Sequence, residues 1–76
     1  MASYVDKETG EIVDAEMFDG DSPITVKTKY SNSIAQPGDY IVLHRGLGYT
    51  SWPPGLFCMA FDKREAAEYA NSVGDS

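Results

Sequence analysis

One histidine, His44, and one cysteine, Cys58, are the side chains best suited to act as a general base or a strong nucleophile near neutral pH. His44 closes the apolar run Tyr40-Ile41-Val42-Leu43-His44, where strand alternation groups it with Tyr40 and Val42, opposite Ile41 and Leu43. The sequence assigns it no carboxylate partner, so it reads as a structural residue rather than a catalytic base. Cys58 stands between Phe57 and Met59, where burial would raise the thiol pKa and suppress its reactivity. A nucleophile–base pair would form only if the strands carrying His44 and Cys58 met in one particular register. Gly46-Leu47-Gly48 lacks the third glycine and the following helix of a phosphate loop. Asp19-Gly20-Asp21 offers two carboxylates without the alternating oxygens and downstream Glu of a calcium loop, and reads as a turn held by its own side chains. A single cysteine forbids an internal disulfide, and a structural zinc site takes several Cys or His ligands. The expectation is a protein with no catalytic residues, no metal and no cofactor.

Charge is more informative once located. Asp6, Glu8, Glu11, Asp14, Glu16, Asp19 and Asp21 oppose Lys7 alone within residues 1–22, so this stretch carries the entire net charge of −6 and residues 23–76 are balanced. A neutral body with an acidic N-terminal arm argues against direct binding to a phosphate backbone. It favours a larger protein with a basic or nucleic-acid-binding surface, whose approach the arm would steer. The opening Met1-Ala2-Ser3-Tyr4-Val5-Asp6-Lys7 has neither the basic start nor the apolar run of a secretory signal. Apolar runs reach about six residues, against the ~20 a membrane helix needs. A cytoplasmic protein with no membrane association is expected.

The elements that must position these residues are legible from pattern. Residues 4–14 read as a hairpin, with Gly10 free to take the positive φ of its turn and residues 15–18 extending the second strand. Residues 24–30 alternate, with Ile24, Val26 and Tyr30 on one face and Thr25, Lys27 and Lys29 on the other. A polar connection over 31–38 ends in the turn Gln36-Pro37-Gly38-Asp39, before a central strand over 40–45. Residues 46–55 read as a loop, because Gly and Pro interrupt regular structure there. Residues 56–61 form an apolar strand expected to pair with 40–45. A helix follows: Asp62 and Glu65 have capping-box spacing, Ala66, Tyr69, Ala70 and Val73 share one face, and Gly74 stops it. The fold class is α+β, a small antiparallel sheet of three to five strands (N-terminal hairpin plus meander) with one C-terminal helix packed on it. Residues 1–22 form the arm and 23–76 the meander and helix, one domain overall.

Within this frame the loop 46–55 is the strongest candidate for binding. It carries Leu47, Tyr49 and Trp52 between glycines and prolines, where aromatic side chains serve as interface anchors and Pro53-Pro54 lowers the ordering cost. Arg45 adds a polar contact, and Glu8, Glu11 and Asp14 supply the steering charge. Trp52 also has a competing role as a lid over the sheet. The acidic, disulfide-free character of the chain and its opening Tyr4-Val5-Asp6-Lys7-Glu8-Thr9-Gly10-Glu11-Ile12-Val13-Asp14 look like those of small accessory proteins encoded by bacteriophages and mobile elements. That resemblance implies a non-enzymatic protein that docks on and inhibits a host machine, such as a CRISPR complex, a restriction enzyme or RNA polymerase, in the host cytoplasm. Two other functions fit the same composition. One is a single-stranded nucleic-acid-binding module using Tyr30, Tyr40, Tyr49 and Trp52 with Lys27, Lys29 and Arg45. The other is a small structural subunit of a phage particle, including a homodimer paired through the edge of strand 24–30.

Overall fold

A computed structural model describes residues 2–64. Among them the chain forms β1 (Ala2–Asp6), β2 (Ile12–Met17), β3 (Ile24–Lys27), β4 (Asn32–Ala35), β5 (Tyr40–His44), β6 (Gly48–Trp52), α1 (Pro54–Ala60) and β7 (Phe61–Lys63). The fold is α+β: an antiparallel five-stranded sheet ordered β6-β5-β2-β1-β7, a two-stranded ribbon β3-β4, and a helix packed across the sheet.

The N-terminal hairpin forms as its turn chemistry predicts. Asp6 Oδ1 accepts hydrogen bonds from the backbone N–H groups of Glu8 and Thr9 at 2.8 and 3.1 Å, and Gly10 takes φ +77°. The acidic segment is not an appendage, however. β1 and β2 lie inside the sheet, with β2 pairing to β5 and β1 to β7. The turn before β5 is also as expected: Asp39 N–H donates to Gln36 O at 2.9 Å, and Gly38 takes φ +95° after Pro37.

Several expectations need correction. The polar connection after β3 contains a strand, β4, paired from Ile24↔Ala35 to Lys27↔Asn32, and β3 ends at Lys27 rather than Tyr30. The expected loop 46–55 is instead a tight turn at Gly46 (φ +78°) followed by β6 and the start of α1. Consequently β5 pairs with β6, from Tyr40↔Trp52 to His44↔Gly48, and not with residues 56–61. Gly48 marks a close approach: a Cβ there would lie 2.5 Å from the Lys27 carbonyl oxygen, where Thr28 bridges to it.

Residues 56–60 are helical rather than extended. Pro54 occupies the first turn, which needs no N–H from it, and Leu56, Met59 and Ala60 are good helix formers. Phe61 to Lys63 then pair with β1, so Asp62 lies in a strand and does not cap a helix. Arg64 is helical, and Glu65 to Gly74 of the expected C-terminal helix lie outside the described residues.

The core sits between α1 and one sheet face. Register places Tyr4, Val13, Ala15, Val42 and Phe61 on that face, and all are buried. Phe57 is the one buried residue of α1. Its ring stacks on Tyr40 at 4.1 Å, meets Tyr4 edge-on at 4.8 Å and lies 5.1 Å from Phe61. Burying such a ring contributes about 1.5–3 kcal/mol, with more from the aromatic pairs.

Candidate partner-docking surface

Strand alternation separates the residues expected to act together. Tyr49 and Trp52 lie at odd and even positions of β6 and therefore on opposite sheet faces. Tyr49 is exposed on the outer face across from Leu43. Trp52 is half-buried on the core face, its ring 5.2 Å from Phe61 in an edge-to-face contact. Leu47 is half-buried in the turn, where its carbonyl accepts a hydrogen bond from Lys29 N–H at 2.9 Å. Arg45 is exposed beside it. The continuous aromatic loop expected from the sequence is therefore not formed, and Trp52 serves as a partial lid.

The carboxylates also divide. Glu8 and Glu11 are exposed at the β1–β2 turn, whereas Asp14 is half-buried on the outer face and accepts from Ser3 Oγ at 3.3 Å. Glu11 supplies the partner that the sequence did not assign to His44: its Oε2 lies 3.5 Å from His44 Nδ1. His44 Nε2 lies 3.0 Å from Thr50 Oγ1, which accepts the Trp52 indole N–H at 2.8 Å. An acid–imidazole–hydroxyl series thus runs from the β1–β2 turn across β5 to β6 in the order used for nucleophile activation. The contacts tie β6 and Trp52 to β5 and to the β1–β2 turn, and neither groove described below is lined by His44 or Thr50.

Cys58 is exposed, contrary to the buried site expected of it. It lies on the outer side of α1 and is not hydrogen-bonded to His44, whose ring faces Glu11 and Thr50. Among the described residues no three His, Cys, Asp or Glu side chains are grouped to hold a metal ion. Nor is any helix there long and apolar enough to cross a membrane.

The surface that sequence reasoning missed is the outer side of α1. This helix, Pro-Gly-Leu-Phe-Cys-Met-Ala, contains no charged residue and buries only Phe57. Leu56 is 54 % exposed and Met59 74 %. The available signal was the Pro-Pro-Gly preceding an unbranched apolar run, which suits a helix start as well as a loop before a strand.

Two grooves adjoin this helix. One, of about 280 Å³, is bounded by Tyr4, Tyr40, Phe57, Cys58, Phe61 and the strand β7. Burial first, then the neighbouring Tyr40 and Cys58, pushes the Tyr4 hydroxyl above the usual phenol range. The other groove, of about 190 Å³, lies between the β1–β2 turn and the end of α1, with Asp6, Glu8, Trp52 and Met59 on its walls.

No known protein family matches this chain, and neither a curated protein nor a solved structure resembles it at a significant level.

Proposed function

We propose that this protein is a non-enzymatic docking module that seats on a larger protein with a basic surface and blocks it. The setting that fits its composition is phage or mobile-element anti-defence, acting in the host cytoplasm on a CRISPR or restriction complex. The observation that carries the docking reading is the outward ridge of α1: Leu56 and Met59 stand in water on a helix with no charge of its own. Such side chains add little to the free protein and gain most from a partner's pocket. Glu8, which shares a groove with Met59, and Glu11 on the same turn present negative charge that speeds approach to a basic partner.

The reading is tested with a Leu56→Ala/Met59→Ala variant, first shown to melt like the wild type. Tagged wild-type protein, incubated with lysate of the natural host, retains one large partner. The variant binds it at least tenfold more weakly, as expected for anchors worth about 2 kcal/mol. Equal retention by the folded variant refutes docking through α1.

A second reading has one observation in its favour. Tyr30 is 85 % exposed, and the exposed Lys27 and Lys29 precede it at the ribbon turn, a small basic and aromatic site able to stack a base. Of the other rings considered for stacking, Tyr40 is already paired face to face with Phe57, and Trp52 meets Phe61 edge to face. Salt-sensitive binding of an oligonucleotide, lost on Tyr30→Ala, would favour this reading over protein docking.

A further inference from the structure

The groove at the end of α1 has a composition that α1 docking alone does not require. Trp52, Met59 and Ala60 give it apolar walls, while Asp6 and Glu8 bring two carboxylates to its rim. Among the described residues the one cation lining it, Lys7, is turned to other partners. Its Nζ donates to the Cys58 carbonyl at 3.0 Å and lies 3.6 Å from the Asp62 carboxylate. Lys7 thus serves the C-terminal end of α1, where a positive charge belongs, and leaves the rim carboxylates uncompensated. Asp6 uses Oδ1 to hold the hairpin turn, and its Oδ2 takes no hydrogen bond from the described residues. Glu8 has no basic partner among the described residues.

We infer that this groove is a receptor for one arginine side chain of the docking partner, a deepening that rests on the docking function proposed above. The apolar walls take the three-carbon stem, which a long basic side chain buries readily. The indole of Trp52 supplies the aromatic surface on which a guanidinium stacks. Glu8 and the free oxygen of Asp6 accept its forked N–H groups, a geometry for which arginine is better suited than lysine. Trp52 cannot swing away freely, because its N–H is held by Thr50 Oγ1 and that hydroxyl in turn by His44. The Glu11–His44–Thr50 series thereby positions the pocket wall, and the site is in place before the ligand arrives. The negative charge concentrated in residues 1–22 selects a cation for this site over an apolar or anionic residue.

Trp52 is the protein's one tryptophan, so its fluorescence reads this groove alone. The probe is a capped Gly-Arg-Gly peptide, titrated at low salt beside the same peptide carrying citrulline, which keeps the shape and loses the charge. The arginine peptide is expected to change Trp52 emission saturably, and the citrulline peptide to bind roughly tenfold more weakly or worse. Glu8→Gln, which keeps the backbone N–H used by the turn, leaves the melting temperature unchanged and weakens the arginine peptide several-fold. An equal response to citrulline, or no effect of Glu8→Gln, overturns the assignment. If the arginine site fails while partner retention still depends on Leu56 and Met59, the pocket falls and the docking module stands. If the peptide binds as described and retention ignores α1, the arginine receptor stands and the docking ridge falls.

Discussion

The five-stranded sheet and the β3–β4 ribbon use the same antiparallel pairing and hide apolar surface to different extents. The sheet gathers Tyr4, Val13, Ala15, Val42 and Phe61 around the Phe57 ring of α1. The ribbon buries only Val26 and Ala35, outside that cluster, and leaves Ile24 and Ile34 in water. Its ties to the rest are few and local: the Thr28–Gly48 bridge, Lys29 N–H to Leu47 O, and Ser51 Oγ donating to Ile34 O at 3.1 Å. A two-stranded ribbon is marginal on its own, so it borrows stability from the sheet's edge at β6. Cohesion and availability to a partner are thus distributed unequally, and the exposed ridge of α1 rests on the cohesive half.

The largest expected effect breaks that half. Phe57→Ala removes the ring shared by Tyr4, Tyr40 and Phe61 and costs about 3–5 kcal/mol, enough to unfold much of a domain this size. Val26→Ala in the ribbon costs about 1–2 kcal/mol. Urea unfolding followed by circular dichroism separates the two, and equal losses would abolish the distinction.

Next in size is the joint between the halves. Gly48 has φ +128° and faces the Lys27 carbonyl, so Gly48→Ala imposes strain of about 2 kcal/mol. Hydrogen exchange should then quicken in β3 and β4 more than in β1 and β2. Uniform acceleration would mean the ribbon and sheet open as one unit.

A smaller effect sharpens the view of the core itself. Tyr4 titrates above 10.0 in the folded protein, so folding favours its neutral form. The associated stability is fully present below the unfolded value near 10 and is lost as pH rises through the folded value. Melting curves above pH 10 should fall for the wild type and less steeply for Tyr4→Phe; parallel curves would assign the alkaline loss elsewhere. The smallest change is expected at the proposed docking ridge. Leu56→Ala and Met59→Ala should each shift stability by no more than about 0.5 kcal/mol, because these side chains stay largely in water in the folded protein. A larger loss in thermal melts would make them structural residues.

Much of the sheet is legible in the residues. Asp6 and Gly10 determine the first turn, Pro37 and Gly38 another, and the facing of His44 follows from alternation. The rest depends on the packing of distant segments. Gly48 looks like a loop residue until β3 is seen to pass over it. Residues 56–60 have no polar alternation, and a short apolar run suits a strand or a helix equally until the space above Tyr40 selects a helix. The same ambiguity hid the exposed ridge of α1: an apolar run implies burial, and here only Phe57 is buried. Glu11 and His44 lie 33 positions apart, a meeting that only strand order creates.

The place of β7 has a consequence in time rather than in space. β1 pairs on one side with β2, a few residues away, and on the other with Phe61 to Lys63, more than fifty residues later. During synthesis the hairpin can therefore fold early, yet one edge of β1 stays open, and the ring of Phe61 stays absent from the core, until nearly all described residues have been made. Open strand edges invite pairing with other chains. Until β7 is made, that edge of β1 is therefore open to such pairing.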